Sequence, residues 1–163
     1  MKIVPLKKEQ LHIVAQLAKE IWPKAYGEIL SPTQLQYMLK QFYSLDALEI
    51  QIQNGQYFLL LKDAEKAIGF LSYELNCYGT GNLKIHKIYI LPTEQGKGLG
   101  KLLIDKSIEI ATAHQQKAVF LNVNKYNKAR FFYEKLGFTI IKDEVIDIGN
   151  GYVMDDYVME LSF

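Results

Sequence analysis

The sequence predicts a mixed α/β domain, and three observations carry this prediction. Residues 8–53 place apolar side chains at helical spacing. From residue 56 onward, short apolar runs typical of strands are separated by turn-forming segments. A glycine-rich turn at residues 95–100 then joins a strand-like run to a helix-like run. Because a strand, a helix and a further strand commonly form a parallel unit, we expect the parallel part of the sheet to flank this helix.

The first third of the chain is predicted to contain one short strand followed by helices. Residues 3–6 form the strand, and residues 8–21 carry an apolar stripe at helical spacing. Ser31-Pro32-Thr33-Gln34 is typical of a helix start, with an N-cap serine, a proline at the first helical position and a capping-box glutamine. The helix that begins there continues to about residue 43. Residues 45–53 are predicted as a further short helix, although the alternation of apolar residues there also fits a strand.

Turn signals separate the remaining elements. Residues 63–66 form a plausible hairpin turn, Gly137 is expected to close a short helix, and Gly149-Asn150-Gly151 is expected to join the last two strands. The predicted strands are 56–62, 67–74, 82–91, 118–123, 138–148 and 152–161, and the predicted helices are 101–114 and 128–136.

Length and composition predict a single globular domain spanning residues 1–163. Apolar residues make up 49% of the chain and charged residues 23%, with no polar tract typical of disorder. The formal net charge of +1 gives no overall field that would mark a nucleic-acid-binding protein. No segment resembles a signal peptide or a membrane span. We therefore expect no nucleic-acid partner, no membrane contact and a cytoplasmic location.

Cysteine and histidine residues are too few and too scattered to indicate a metal site. Cys77 is the one cysteine, which excludes an internal disulfide and a cysteine-rich zinc site. The histidines are His12, His86 and His114, and they lack the spacing typical of ligands. We therefore expect no metal.

The segment Gln95-Gly96-Lys97-Gly98-Leu99-Gly100 is the part of the sequence most indicative of function. Glycines leave backbone N–H groups free and let a ligand approach the main chain, and the start of the helix adds a partial positive charge. A phosphate or pyrophosphate suits such a turn, although the turn could also serve only to reverse the chain. It lacks the Ser or Thr of a P-loop and the glycine spacing of a dinucleotide-binding fold. Lysines predicted to cluster around the turn suit a compact anionic cofactor, or else form a solvated surface: Lys84, Lys87, Lys97 and Lys101.

A second motif lies one helix and one strand later, in the pattern A-x-x-x-Y-x-x-x-G-F, and the glycine turn fits the pattern Gln/Arg-x-x-Gly-x-Gly/Ala. With both motifs in this order, the chain resembles the GNAT superfamily of acetyl-CoA-dependent N-acetyltransferases over nearly its full length. The resemblance implies a mixed, mostly antiparallel central sheet flanked by helices and splayed between the strand before the glycine turn and the following strand. It also implies acetyl-CoA as co-substrate. The matching residues are Gln95, Gly98, Gly100, Ala129, Tyr133, Gly137 and Phe138.

The resemblance implies roles for individual residues. The end of the strand before the glycine turn, Ile88, Tyr89 and Ile90, would pair with the pantetheine arm of acetyl-CoA. Tyr133 would donate a proton to the leaving thiolate; periodicity alone would instead make it a packed aromatic residue. Main-chain N–H groups of the turn would hold the pyrophosphate, and they belong to Gln95, Gly96, Lys97, Gly98, Leu99, Gly100 and Lys101.

The sequence does not decide which group acts as the general base or whether one candidate residue contacts the cofactor. The family often carries an acid in the strand before the glycine turn, where this chain has Lys84 and His86 on one face. His86 could accept the amine proton, directly or through water, because its ordinary pKa lies near neutrality. A distant acid with a chain of waters is the alternative. Asn127 is a candidate cofactor contact, one residue after the family's usual asparagine position, which Tyr126 occupies.

The acceptor is predicted to be a small-molecule primary amine that receives the acetyl group directly in a ternary complex. Residues 88–110 look most like bacterial spermidine/spermine N-acetyltransferases, which implies a polyamine. A peptide or protein amine is one alternative, and a non-catalytic acetyl-CoA sensor is another. Many relatives dimerise, and the terminal strands offer an edge for a homodimer. Candidate carboxylates for a polyamine are Glu28, Asp143, Glu144, Asp147, Asp155 and Asp156, and candidate pocket aromatics are Trp22, Tyr26 and Tyr43.

Overall fold

A computed structural model describes residues 1–163 as helices and strands in the predicted order. None of the helices is long and apolar enough to cross a membrane. The helices are α1 (Leu11–Tyr26), α2 (Pro32–Tyr43), α3 (Leu45–Gln53), α4 (Leu99–Ala113) and α5 (Ala129–Lys135). The strands are β1 (Lys2–Pro5), β2 (Tyr57–Asp63), β3 (Lys66–Glu74), β4 (Leu83–Ile90), β5 (Ala118–Asn124), β6 (Thr139–Gly149) and β7 (Tyr152–Ser162).

All strands belong to one seven-stranded sheet with the order β1-β2-β3-β4-β5-β7-β6. Neighbouring strands are antiparallel except β4 and β5, which are parallel and are connected through α4. Helix α4 lies against β4 and β5, and α1 lies against β3 and β4. The predicted fold, a mostly antiparallel sheet flanked by helices with its parallel part beside the glycine-turn helix, is confirmed.

Strands β4 and β5 pair over only part of their length. The paired segments are residues 83–85 of β4 and 119–121 of β5, yet β4 continues to Ile90 and β5 to Asn124. Beyond Ile85, β4 bonds to β3 on one side and has no strand on the other. Backbone N–H and C=O groups need hydrogen-bond partners, so this half-paired edge offers them to a ligand. The predicted splay between the two strands is present.

A β-bulge interrupts β4 where it pairs with β3. Consecutive residues of β3 pair with Lys87 and Ile85, so His86 has no opposite partner. An extra residue in one strand breaks the alternation of side chains between the two faces of a sheet. As a result, Lys87 lines the same cavity as Lys84 and His86, although strict alternation would place it on the other face.

Helix α1 is longer than predicted because it continues through a proline. The prediction ended the helix at residue 21, whereas the helix includes Pro23 and ends at Tyr26. Proline removes a backbone hydrogen bond from a helix interior, so the last turn depends on packing. The ring of Trp22 lies 4.6 Å from that of Tyr26, 5.4 Å from that of Tyr43 and 5.9 Å from that of Tyr89, measured between centroids.

Serine side chains cap the N-termini of α2 and α3. The Oγ atom of Ser31 accepts a hydrogen bond from the N–H of Gln34 at 3.1 Å, and Oγ of Ser44 accepts one from the N–H of Ala47 at 3.2 Å. The expected capping-box role of the Gln34 side chain is wrong, because that side chain donates to the carbonyl of Val153 in β7 at 3.3 Å. Residues 45–53 form a helix and not a strand.

Candidate active site

Two cavities meet beside the open edge of β4. The gap cavity, of about 640 Å³, fills the space between β4 and β5 and reaches the glycine turn. The hairpin cavity, of about 320 Å³, lies between the helices α1–α3 and the β6–β7 hairpin. A ligand in one cavity can therefore touch a ligand in the other. The residues that line both cavities are Tyr26, Ile85, His86, Lys87, Tyr89 and Asn122.

The glycine turn leaves free N–H groups at one end of the gap cavity. Gly96 and Gly98 have φ angles of 80° and 75°, and no atom lies within 4 Å of the position that a Cβ would take on either. Gly98 is the N-cap of α4, and no side chain caps this helix. The first N–H groups of α4 thus lack partners at the positive end of the helix dipole, a setting that fits an anion. The turn residues that line the cavity are Gln95, Gly96, Gly98, Leu99 and Gly100.

Gly100 has a different role from the other glycines of the turn. A Cβ on Gly100 would lie 3.0 Å from Cζ of Phe132 on α5, which is tighter than ordinary van der Waals contact. The missing side chain therefore allows α4 and α5 to pack closely, and this packing places Phe132 on the wall of the gap cavity.

The side chains of Lys97 and Lys101 line neither cavity. Each pairs at the surface with an acid three or four residues away, at 2.7 Å and 2.8 Å. Their predicted contribution to ligand binding is therefore confined to main-chain atoms. The expected lysine cluster around the turn does not form, because Lys84 lines the hairpin cavity and Lys87 lies where the two cavities meet.

The half-paired edge of β4 forms one side of the gap cavity. Ile88, Tyr89 and Ile90, predicted to bind cofactor, all line it. Their backbone groups that point away from β3 have no strand partner. An extended chain that contains amide groups can therefore add to this edge as an extra strand would.

Tyr133 lines the gap cavity and is also a core residue. Its ring packs edge-on against Phe132 and Phe138, with centroids 5.2 Å and 5.8 Å apart. Burial raises the pKa of Tyr133 well above its ordinary value, and the hydroxyl makes no hydrogen bond with the protein. The two interpretations offered by the sequence, packing and function, are thus compatible in one side chain.

Asn127 lines the gap cavity and begins α5. Its Oδ1 atom accepts a hydrogen bond from the N–H of Ala129 at 2.9 Å. Tyr126, at the position where the family often has asparagine, is 72% exposed and lines neither cavity. Of these two neighbours, only Asn127 is placed to contact a ligand in the gap.

His86 is held by an acid of the neighbouring strand. Its Nε2 atom lies 3.0 Å from Oε1 of Glu74. Burial, together with the ammonium groups of Lys84 and Lys87, lowers the pKa of His86 to about 3. The ring is therefore neutral near pH 7, and its Nε2–H donates to Glu74. A group with so low a pKa takes up a proton poorly, which weakens the case for His86 as a general base.

The side chains of Glu74, Cys77 and His86 bring possible metal-ligand atoms within 4.8 Å of one another. The spacing of these residues in the sequence did not indicate this grouping. The nearby ammonium group of Lys84 opposes a cation there, and burial raises the pKa of the Cys77 thiol to about 11. The absence of a metal stays a prediction.

Lys84 and Lys87 are almost completely buried, with 9% and 8% of their surface exposed. Nζ of Lys84 donates to the hydroxyl of Tyr78 at 3.1 Å, and Nζ of Lys87 donates to Oε1 of Gln56 at 3.3 Å. Nζ of Lys87 also lies 5.7 Å from the ring centroid of Tyr43. Burial, followed by the charge of Lys84, lowers the pKa of Lys87 to about 7.

Asp156 is the buried acid of the hairpin cavity, with 1% of its surface exposed. Its Oδ2 atom accepts a hydrogen bond from Nδ2 of Asn122 at 3.3 Å, while its Oδ1 atom has no partner. Burial is the main cause that raises the pKa of Asp156. Oε1 of Gln51, on the wall of the same cavity, is also buried without a partner. Buried polar groups are normally paired, so these two atoms are open to a hydrogen bond from water or from a polar ligand.

Comparison with known proteins assigns the family. Residues 27–161 match the family described as "Acetyltransferase (GNAT) domain". The chain belongs to this family. An uncharacterized N-acetyltransferase from the pepI 3' region of Lactobacillus delbrueckii subsp. lactis is 25% identical over 157 residues, which are 92% of this chain and 91% of the relative. The resemblance to GNAT N-acetyltransferases that the two motifs indicate is confirmed.

Solved GNAT structures share the fold over the whole chain. PaiA N-acetyltransferase from Thermoplasma acidophilum, solved in complex with coenzyme A, has a TM-score of 0.80 at 23% identity and covers 100% of both chains. Spermidine N-acetyltransferase from Vibrio cholerae, solved with CoA and spermine, has a TM-score of 0.71 at 21% identity and covers 99% of this chain and 94% of that one. At these identities the likeness shows the fold.

In this GNAT acetyltransferase, the sequence motifs locate the gap cavity better than the hairpin cavity. Asn122 was not predicted, and Asp156 was predicted only as one of six candidate carboxylates. A usable signal was present, because Asn122 and Asn124 are polar residues at alternate positions of an otherwise apolar strand. Their partners in β7 are Val158 and Asp156, which places these polar side chains on one face of the sheet.

Proposed function

We propose that this chain is an acetyl-CoA-dependent N-acetyltransferase that transfers the acetyl group directly to a primary amine in a ternary complex. The continuity of the gap cavity carries the proposal. The free N–H groups of the glycine turn form one end, the half-paired edge of β4 forms a side, and the inner end meets the hairpin cavity. This sequence of surfaces matches acetyl-CoA, in which a pyrophosphate is followed by an amide-containing arm and then by the thioester.

The residues of the gap cavity fit the cofactor group by group. The turn around Gly96 and Gly98 would bind the pyrophosphate, because N–H groups at a helix start favour anions. The edge at Ile88, Tyr89 and Ile90 would bind the amides of the pantetheine arm. Asn127 would contact the cofactor beside α5. When bound, acetyl-CoA supplies an acetyl group activated by its thiol leaving group.

Tyr133 is the proposed proton donor. Its raised pKa keeps the hydroxyl protonated throughout the neutral range, so the donor is present at every working pH. The carbon–nitrogen bond of the product forms as the carbon–sulfur bond breaks, and Tyr133 gives its proton to the sulfur. Cys77 is buried and lines neither cavity, which supports direct transfer without a cysteine carrier.

Asp156 is the proposed group that receives the amine proton. Its partnerless Oδ1 atom belongs to the wall of the hairpin cavity, and a raised pKa makes the carboxylate a stronger base than an exposed aspartate. Asn122, which donates to Asp156, lies where the cavities meet and could hold a bridging water. His86 stays the alternative base, although a pKa of about 3 makes it a weak one.

The acceptor predicted from the sequence, a polyamine, stays a prediction. Its support is the resemblance of residues 88–110 to spermidine/spermine N-acetyltransferases. Of the six candidate carboxylates, only Asp156 lines the hairpin cavity. Trp22, Tyr26 and Tyr43, the candidate aromatics, all line it.

Binding and turnover test the proposal separately. Calorimetric titration with CoA should give one site per chain, and absence of binding would contradict the assignment of the gap cavity. Release of CoA thiol from acetyl-CoA should then be measured with spermidine, spermine, an arylalkylamine, an aminoglycoside and short peptides. Turnover on any of these supports an enzyme. Binding of CoA without thiol release on this or a wider amine panel would instead favour the sensor alternative.

A further inference from the structure

The hairpin cavity contains two buried lysines that form no salt bridge. Lys84 and Lys87 both line it, and each makes a single hydrogen bond, to a neutral oxygen. Each ammonium group has three N–H donors, so most of their donor capacity is unused. Glu74, which lies opposite Lys84 in the pairing of β3 with β4, is engaged by His86. Buried charges in proteins are normally paired or bound to a ligand.

Aromatic rings surround the two ammonium groups without neutralising them. Nζ of Lys84 lies 5.9 Å from the ring centroid of Phe120, and Nζ of Lys87 lies 5.5 Å from that of Phe58. Ring faces stabilise a nearby cation, but they cannot satisfy its N–H donors. The lysines are therefore held in place in a cavity in which neither of them forms a salt bridge.

The balance of charge in the cavity opposes a polycation. Its wall holds one carboxylate, Asp156, against the two ammonium groups and the neutral ring of His86. A polyamine would bring several positive charges next to Lys84 and Lys87, and like charges at close range repel. An anionic group on the acceptor would instead accept hydrogen bonds from both lysines and balance their positive charge.

More than half of the residues that line the cavity are apolar, which favours an acceptor with an apolar body. The cavity of about 320 Å³ is near the lower end for small-molecule sites and suits a compact acceptor. Apolar side chains that line it include Leu30, Met38, Phe42, Ile146, Ile148 and Met154.

We propose that the acceptor is a compact amine that also carries a carboxylate or phosphate, and that Lys84 and Lys87 bind this anionic group. The inference rests on the proposed acetyl transfer and specifies its acceptor. The amine would lie at the meeting point of the cavities, toward Asn122 and Tyr133, and the anionic group would lie against the two lysines. Positive charge beside the site also favours the neutral form of the amine, which is the form that attacks.

Matched pairs of amines test the inference. L-phenylalanine is compared with 2-phenylethylamine, and O-phosphoethanolamine with ethanolamine, so that each pair differs in the anionic group; spermidine is included. In at least one pair we expect kcat/KM to be about 10- to 100-fold higher for the anion-bearing member, the range for charge-assisted hydrogen bonds. The pair that responds distinguishes a carboxylate from a phosphate. The inference would be overturned if spermidine, or both 2-phenylethylamine and ethanolamine, were turned over as well as or better than the anion-bearing amines. That result would leave the proposed acetyl transfer intact.

Substitution of the lysines locates the effect. Lys87→Met and Lys84→Met keep the apolar stem and remove the charge, and both should abolish the preference for the anion-bearing member. Lys106→Met is the control, because Lys106 pairs with Glu109 at 3.2 Å outside both cavities. A preference that survives in both cavity variants would overturn the inference.

A binding measurement decides the matter if none of these amines is turned over. Thermal unfolding of the complex with CoA is followed with each amine added at high concentration. Stabilisation by an anion-bearing member in the wild type, lost in Lys87→Met, supports the inference; equal response to both members of each pair overturns it. Failure of CoA itself to bind would instead contradict the proposed function, so the two failures are distinguishable.

Discussion

Replacing Tyr133 by phenylalanine separates the hydroxyl group from the ring that carries it. The ring packs against Phe132 and Phe138 at 5.2 Å and 5.8 Å between centroids, and phenylalanine preserves both contacts. The hydroxyl makes no hydrogen bond with the protein, so its removal leaves no buried partner unsatisfied. We therefore expect the free energy of unfolding to change by less than about 1 kcal/mol.

The effect on turnover should be much larger than the effect on stability. A positioned proton donor contributes about 10²- to 10⁴-fold to the rate, and each tenfold corresponds to about 1.36 kcal/mol of barrier. Tyr133→Phe should thus raise the barrier by about 2.7 to 5.4 kcal/mol. Because burial raises the pKa of Tyr133, wild-type activity should not fall between about pH 7 and 9 through loss of its proton.

Three measurements on the same variant test this reasoning. CoA thiol release at saturating acetyl-CoA gives kcat, calorimetry gives the affinity for CoA, and thermal unfolding gives stability. Tyr126→Phe is the matched control, because that hydroxyl is removed from an exposed ring outside both cavities. An unchanged kcat in Tyr133→Phe would refute the proton-donor role. A loss of rate that merely followed a loss of CoA affinity would refute it as well.

Three further substitutions test other parts of the site. Asp156→Asn should preserve the fold and lower kcat by about 10²- to 10⁴-fold. Because burial raises the pKa of Asp156, wild-type activity should rise with pH through that pKa. If the variant showed the same rise of activity with pH, Asp156 would be excluded as the base. Gly98→Ala should weaken CoA binding in calorimetry because φ is 75°, whereas Gly151→Ala, at φ 78° with equally open space in the β6–β7 turn, should leave affinity unchanged. Gly100→Ala places a methyl group 3.0 Å from Phe132 and should lower stability by about 1 to 3 kcal/mol in denaturant unfolding. Equal stability would contradict the close packing of α4 on α5.

The cofactor side of the site was predictable because its signals are local in the sequence. The glycine turn joins β4 to α4, so the residues that leave N–H groups free are consecutive, and the positive φ angles of Gly96 and Gly98 favour glycine. The motif around Tyr133 is contained in one short helix and the turn after it. The positions of the Lys97 and Lys101 side chains were less predictable, because each forms an ion pair with a surface acid instead of facing the cavity.

The acceptor side was less predictable because it depends on pairing between distant segments. Alternation along β4 correctly groups Lys84 with His86 but separates Lys87 from them. The bulge that brings Lys87 into the same cavity arises from the register between β3 and β4. No residue in β4 indicates this bulge in the sequence. Asp156 reaches the cavity only because β7 inserts between β5 and β6 in the sheet.

Packing also overrode a local signal in α1. Pro23 ordinarily ends a helix, and the prediction stopped just before it. The final turn carries Trp22 and Tyr26, and Tyr26 donates or accepts a hydrogen bond with the hydroxyl of Tyr89 at 2.8 Å. Contacts made across more than sixty residues of sequence therefore outweigh one lost backbone hydrogen bond.

The bulge at His86 divides β4 into a part that offers its backbone and a part that offers its side chains. Residues 88–90, after the bulge, present the backbone edge that we assign to the cofactor, and that edge depends little on side-chain identity. Residues 84–87, before and at the bulge, present side chains to the hairpin cavity. His86 and Lys87 also line the gap cavity, whereas Lys84 lines only the hairpin cavity, so a library at Lys84 is the one expected to redirect the enzyme to new amines while its acetyl donor stays the same. One strand would thus provide both a backbone edge that binds the cofactor and side chains that determine which amine is accepted.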